Sequence, residues 1–135
     1  MKDVFCKIID GEIPCSKVYE DDDVLAILDI SQTTKGHTLV MPKKHYENFL
    51  SCPNDIALKV YAVARRIGQA EIGLLGAKGV NVLTNVGEAA GQTVPHFHVH
   101  VIPRYENQEG FILEMKSNQG DLNLPALAKE ITNKL

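Results

Sequence analysis

The chain lacks an excess of charge of either sign: fourteen Lys and Arg stand against seventeen Asp and Glu, a formal net charge of −3. Nothing in that balance drives binding to nucleic acid or to an anionic membrane through phosphate neutralisation. Long hydrophobic runs are missing too. Stretches such as Val24 to Leu28 end at a charge, here Asp29, far short of the ~20 apolar residues that cross a bilayer. Near the N-terminus, Lys2, Asp3 and Lys7 break up any core of the kind a signal peptide needs. Cysteine is scarce. Cys6, Cys15 and Cys52 form an odd set with no Cys-x-x-Cys, which argues against a disulfide framework and makes a cytoplasmic protein with free thiols the expectation. All three read as structural, because none sits in a nucleophile-like context. Internal repeats, low-complexity stretches and linkers are absent as well.

What is present suits one globular domain. At 135 residues, 44% hydrophobic and 23% charged, the chain can bury a sizeable core. A domain of this size hides roughly two thirds of its unfolded surface and requires no metal or disulfide for stability. Residues 4–9 read as a short helix or turn, ended by Gly11 and Pro14. Residues 17–20 and 24–28 read as strands joined by the tight turn Asp21-Asp22-Asp23, a solvated turn rather than a metal site. Residues 38–41 form a third strand, stopped by Pro42.

Between Pro53 and Leu75, Ile56, Val60, Val63, Ile67, Ala70 and Leu74 recur at steps of three and four, the stripe of a long helix. Ser51 or Asn54 is expected to cap its start, Gly76 lies just past its end, and Asp55 faces Lys59 at i,i+4. Strands are expected at residues 80–86 and 96–103, with a small-residue loop at 87–91 between them. Residues 106–110 read as loop, 111–115 as a weak strand and 124–135 as a terminal helix. The pattern predicts an α+β domain with a mainly antiparallel sheet.

The chemistry concentrates in Val94-Pro95-His96-Phe97-His98-Val99-His100-Val101-Ile102-Pro103, which holds three of the five histidines. Roughly 0.007 matches to His-x-His-x-His are expected by chance at this histidine frequency. Alternation puts Phe97, Val99 and Val101 on one face of a strand and the three histidines on the other. Packing does not explain three imidazoles opposite an apolar face. A single zinc ion does not either, since His96 and His100 would lie roughly 13 Å apart along a regular strand. Imidazole chemistry on an anionic substrate remains. A neutral ring attacks phosphorus with one nitrogen while the other is fixed by a carbonyl, and its neighbours hold phosphate oxygens or protonate a leaving group. Gly87 and Gly91 permit a phosphate-binding loop just upstream, and Gln92 and Thr93 add donors.

His96-Phe97-His98-Val99-His100-Val101-Ile102 resembles the signature of the histidine triad superfamily. Asn85, Gly91-Gln92-Thr93, residues 36–45 (GHTLVMPKKH), Phe5-Cys6-Lys7-Ile8-Ile9, Gly11-Glu12-Ile13-Pro14 and Leu28-Asp29-Ile30-Ser31 also match. The similarity runs from about residue 3 to Tyr105 and is nearest to the small phosphoramidase-like, nucleotide-binding hydrolases. It implies the histidine triad fold, a five-stranded antiparallel sheet with one long helix and shorter ones. Residues 1–105 would form the core and 106–135 a C-terminal extension of the same domain.

The same resemblance implies a nucleoside 5′-phosphoramidate hydrolase that works through a covalent nucleotidyl-histidine. His98 would be the nucleophile, His96 and His100 its flanking partners at the phosphate, and His37 the supporting histidine behind them. Gln92 and Thr93 would contact phosphate and leaving group, and Asn85 and Gly91 would lie on the phosphate side. Asp29 would bind the ribose hydroxyls, with Phe5, Ile8, Leu28 and Ile30 walling the base and sugar. Activity is expected to fall once His98 is protonated. A purine nucleotide such as an AMP or GMP derivative is the implied partner, and a homodimer the implied assembly. His100 stands where the nucleotidyltransferase branch carries glutamine, which favours hydrolysis. Two rival activities are a dinucleoside polyphosphate hydrolase and a weakly catalytic nucleotide sensor or adaptor. Some bacterial relatives hold zinc with two N-terminal cysteines and histidines matching His45 and His96. Asp3 replaces one of those cysteines while Cys6 remains, so no metal or other cofactor is expected.

Overall fold

Five strands form one sheet in the computed structural model, which describes residues 2–106, 110–117 and 120–135. They are β1 (Lys17–Glu20), β2 (Val24–Leu28), β3 (Thr38–Pro42), β4 (Gly79–Leu83) and β5 (Val99–Arg104). Their order is β1-β2-β3-β5-β4 and every neighbouring pair is antiparallel. The architecture is α+β, with helices α1 (Val4–Ile9), α2 (Asn54–Leu75) and α3 (Leu124–Thr132). The Asp21 carboxylate closes the β1–β2 turn by accepting from the N–H groups of Asp23 and Val24, both at 2.8 Å.

The apolar runs of β2 and β3 occupy the middle of the sheet and are covered on both faces. Val24, Ala26, Val40, Phe97, Val99 and Val101 meet Val60, Val63, Ala64 and Ile67 of α2. Leu25, Ile27, Leu39 and Met41 point the other way and pack with Phe5 of α1. Full burial of each such side chain contributes about 1.5–3 kcal/mol, so this two-sided packing fixes the strand register.

Helix α2 buries a face that differs from the expected stripe. Ala57, Val60, Val63, Ala64, Ile67, Gly68 and Glu71 turn inward, while Ala70 is exposed and Leu74 is 83% exposed. The small residues Ala57, Ala64 and Gly68 let the helix approach the sheet and rotate the contact line toward them. Pro53 occupies the N-cap without a side-chain hydrogen bond, so neither Ser51 nor Asn54 caps. Gly76 ends the helix in the left-handed conformation, φ 74°, as its position predicts. Lys59 does not pair with Asp55 within the helix; its Nζ reaches Asp23 at the β1–β2 turn, 2.7 Å away.

Other boundaries shift for identifiable reasons. β3 runs on through Pro42. β4 starts at Gly79 and stops at Leu83, where Thr84 spends its hydroxyl on the His98 carbonyl at 2.7 Å. A 3₁₀ turn at Glu88–Ala90 lies inside the small-residue loop. β5 begins at Val99, not at His96. The Phe97 N–H donates to the Tyr46 carbonyl (2.7 Å) and the His96 N–H to Val94 (2.8 Å), which takes this segment out of the ladder. Residues 111–115 form no strand; the Arg104 guanidinium holds the Phe111 carbonyl at 3.0 Å and lies over its ring. Of the expected loop at 106–110, residues 107–109 lie outside the described residues. No helix is long and apolar enough to cross a membrane among the described residues.

Candidate active site

The histidine alternation survives although half of it precedes the strand. Phe97, Val99 and Val101 lie in the core beneath α2, and the three imidazoles lie on the opposite side. They then part company. His98 and His100 line a cavity of about 360 Å³ between α1 and the sheet. His96 is fully buried and turns toward Asp3 and Cys6 at the start of α1.

Hydrogen bonds set the state of each ring. His98 Nδ1 lies 2.7 Å from the His96 carbonyl, so Nδ1 carries the proton and donates. The neutral ring then keeps its lone pair on Nε2. Burial pushes the His98 imidazole below the ordinary histidine value, against the opposing pull of that hydrogen bond. The Phe5 ring meets His98 edge-on, centroids 4.9 Å apart, and restricts its rotation.

A second relay runs behind it. The Thr33 N–H can only donate, and it points at His37 Nδ1 (3.4 Å). His37 therefore carries its proton on Nε2 and donates to His100 Nδ1 at 3.0 Å. His100 is left with a proton on Nε2. Burial, reinforced by the His98 and His37 rings, lowers its pKa to about 4. His98 thus offers a lone pair while its neighbour, at a centroid distance of 5.0 Å, offers an N–H.

Phe5, Ile8, Leu28, Asp29 and Ile30, the residues expected around base and sugar, line the same cavity together with Thr93. Val4, Ile13, Pro14, Cys15, Ile27, Leu39 and Val94 complete the wall and were not expected at the site from the sequence. The Asp29 carboxylate accepts from the Ser31 N–H at 2.8 Å and remains partly open. Gly91 and Gln92 line a neighbouring cleft of about 490 Å³, which Thr93 shares with the first. The Gln92 amide is spent on the loop itself. Its Nε2 donates to the carbonyls of Glu47 (2.7 Å) and Val94 (3.0 Å), and its Oε1 accepts from the Gly87 N–H (2.9 Å). Asn85 lies against Gly91, behind the loop.

A separate cluster forms at His96. One donor atom from each of Asp3, Cys6, His45 and His96 lies within 4.8 Å of every other. The Cys6 sulfur is 3.6 Å from both His45 Nδ1 and His96 Nδ1. Asp3 Oδ2 is 3.1 Å from His45 Nδ1 and 3.2 Å from His96 Nδ1. Tetrahedral zinc with ordinary bond lengths has S···N edges of about 3.5 Å and O···N edges of about 3.3 Å, so the two Cys–His and two Asp–His separations fit. His96 Nε2 donates to the Pro42 carbonyl (3.0 Å), which turns a lone pair on Nδ1 toward the Asp3 carboxylate. Either a proton on Nδ1 or a metal ion between them satisfies both groups. With Asp3 in place of cysteine, no tight metal site is expected from the sequence; the N-cap geometry of α1 nonetheless brings that carboxylate beside Cys6, His45 and His96.

Residues 10–107 match the family model for the HIT domain. The chain belongs to the HIT family. Among HIT proteins, Protein hit of Bacillus subtilis (strain 168) is 48% identical over 118 residues, covering 87% of this chain and 81% of its own. The crystal structure of a HIT family protein from Bacillus anthracis superposes with a TM-score of 0.91 at 50% identity, covering 98% of this chain and 96% of that one. Adenylylsulfatase HINT3 of Arabidopsis thaliana is 44% identical over 103 residues, 76% of this chain and 52% of its own. A zinc-bound histidine triad family protein from Mycobacterium smegmatis superposes with a TM-score of 0.76 at 38% identity, covering 96% of each chain.

In this HIT chain, a zinc ion held by Asp3, Cys6, His45 and His96 would supply a positive charge and a cross-link between α1 and the entry to β5. It would hold His96, whose carbonyl in turn orients His98. Sequence reasoning missed two contributors of the loop between β2 and β3. Thr33 fixes the His37 tautomer, and Gln32 Nε2 ties the Asp29 and His37 carbonyls together at 2.6 and 2.8 Å. The run Ser31-Gln32-Thr33-Thr34 was the available signal.

Proposed function

We propose that the protein is a nucleotide-binding hydrolase that cleaves nucleoside 5′-phosphoramidates through a covalent nucleotidyl-histidine on His98. One observation carries the reading: the His98 Nδ1 proton is given to a backbone carbonyl, which leaves Nε2 as a lone-pair nucleophile in a cavity wide enough for a nucleotide. In the first step Nε2 attacks phosphorus, the P–N bond breaks, and the amine leaves with a proton. His100 Nε2–H, held in that tautomer by His37, hydrogen-bonds the phosphoryl oxygens, and the proton on the departing amine comes from solvent. Water then hydrolyses the nucleotidyl-histidine and frees the monophosphate. The apolar wall from Phe5 to Ile30 suits a purine, and Asp29 suits the ribose diol. The adjoining cleft past Thr93 gives the leaving group room.

Chemistry at one phosphorus atom also accommodates sulfate as leaving group, the reaction suggested by the name of the Arabidopsis relative. A homodimer is the assembly we propose. The β4 edge and the outer face of α2 present Tyr61, Ile72 and Val82 around one shallow cleft. The deciding experiment incubates the protein with adenosine phosphoramidate, adenylyl sulfate and diadenosine polyphosphates, and traps the adduct by acid-free mass spectrometry. A nucleotidyl group on His98, absent in His98→Asn while AMP binding persists, is expected. Turnover faster on diadenosine polyphosphates would assign the rival hydrolase activity, and failure to form an adduct with any of them would leave a binding protein.

A further inference from the structure

On the α2 face of the sheet, away from the triad, lies a second cavity of about 370 Å³. Val18, Leu28, Ile67, Leu74 and Leu75 give it a nearly continuous apolar lining. Gln32, Thr38 and two charged residues, the exposed Lys35 and the buried Glu71, interrupt this lining. Glu71 is 7% exposed, and its Oε1 is buried with no hydrogen-bond partner. Oε2 rests against Gly36, where a Cβ would come within 2.5 Å of it. Gly36, at φ +101°, therefore leaves the space that the carboxylate fills.

A buried acceptor without a donor costs about 1–3 kcal/mol, and more when charged, so its retention calls for a partner. The protein supplies none among the described residues. Lys35 is on the rim of the cavity, but it is exposed, and burial is the one cause that shifts Glu71. We propose that this cavity is a second binding site, distinct from the nucleotide cleft, for an organic ammonium ion whose head pairs with Glu71 and whose alkyl or aryl body covers Ile67 and Leu74.

The chemistry selects that class. A metal ion needs several oxygen ligands and meets a single carboxylate. An anion is repelled. A neutral apolar molecule fills the walls but leaves the Glu71 carboxylate uncompensated. An ammonium head at the cavity wall supplies the opposite charge and N–H donors to the Glu71 carboxylate, which the wall presents among apolar side chains. Burial raises the Glu71 carboxyl to about 7, so near neutral pH a cation can draw it into the ionised form at little cost. The volume falls within the range of small-molecule sites, about 300–1,000 Å³. Gln32 and Gly36 belong to the wall, so an occupant adjoins the loop that carries Asp29 and His37.

The test titrates 2-phenylethylammonium chloride into the full ¹⁵N-labelled chain and follows amide shifts, with 2-phenylethanol as the neutral isostere and sodium chloride as the ionic control. Saturable shifts at Gly36, Thr38 and Glu71 are expected, with the amine bound at least ten-fold more tightly than the alcohol. Glu71→Gln keeps the shape and should weaken the amine at least ten-fold while leaving the alcohol unchanged. Ala70→Phe fills the cavity from its rim and should remove both. Equal binding of amine and alcohol, an unchanged affinity in Glu71→Gln, or no saturable shift would overturn the proposal. Burial of these amides against a second copy of the chain would overturn it too. Adduct formation on His98 is expected to persist in Glu71→Gln, so the two readings fail separately.

Discussion

His37 Nε2 and His100 Nδ1 are 3.0 Å apart, and the direction of that hydrogen bond is dictated from the far side of the pair. The Thr33 N–H occupies His37 Nδ1, which forces the His37 proton to Nε2 and the His100 proton outward. A residue that faces no substrate thus decides which atom of its neighbour can donate. Loop and strand are locked together by the Thr34 hydroxyl on the Pro103 carbonyl (2.6 Å) and the Tyr105 hydroxyl on Lys35 (2.7 Å).

Replacing His37 tests that relay. His37→Phe keeps a ring in the buried site but frees His100 to take either tautomer. The rate of adduct formation on adenosine phosphoramidate should fall by about 10²-fold, as the phosphoryl oxygens lose an oriented donor, while KM changes little. His37→Phe in a His100→Ala background should cost almost nothing further, since the two act as one unit. Additive losses in single-turnover kinetics would show that His37 acts by another route.

Metal content is directly measurable. Elemental analysis of the purified chain should find close to one zinc per protomer, and prolonged chelation should lower the melting temperature. Asp3→Ala should reduce zinc retention by roughly 10- to 100-fold, because it removes one ligand and also the cap of α1. A metal-free protein whose melting temperature is indifferent to added zinc would refute the site.

Glu71 predicts a signed pH dependence of stability. Its folded carboxyl titrates at about 7, above the ordinary value of 4.5. The folded state therefore holds a proton that the unfolded chain releases, and stability falls as pH rises from about 4.5 to about 7 and stays lower beyond. The full span is about 3 kcal/mol. Glu71→Gln should match the wild type near pH 4 and exceed it by up to that amount at pH 8. Urea unfolding of both proteins across pH, taken as a difference, isolates this group from Tyr105 beside it and Lys35 at the rim. A difference independent of pH would contradict the burial of the carboxylate.

Gly36 should tolerate no side chain. A Cβ there meets Glu71 Oε2 at 2.5 Å and Leu75 Cδ1 at 2.9 Å, on a backbone at φ +101°. Gly36→Ala should cost about 1–3 kcal/mol in thermal or urea unfolding. The double variant Gly36→Ala, Glu71→Ala should recover part of that loss by removing the clashing oxygen. No recovery would place the strain in the backbone alone.

Much of this molecule was legible in its sequence because it depends on period. Alternation of Phe97, Val99 and Val101 with three histidines assigned the two faces of β5 and its approach, and continuous apolar runs marked the buried strands β2 and β3. Gly76 marked the end of α2. The errors fall where tertiary contacts outbid local preference. Phe97 bonds to Tyr46 and delays the strand; Lys59 reaches Asp23 across the fold; small residues rotate the buried face of α2 away from Leu74.

By itself the sequence determined the sheet, the long helix and the side on which the imidazoles stand, since side-chain period and residue chemistry are local properties. Only the tertiary structure decided that His96 leaves the cavity of His98 for Asp3, Cys6 and His45, a grouping suggested by the family resemblance alone, and that Glu71 Oε1 is buried without a partner. Those outcomes depend on which groups from distant segments share a few ångströms, and no spacing along the chain encodes that distance.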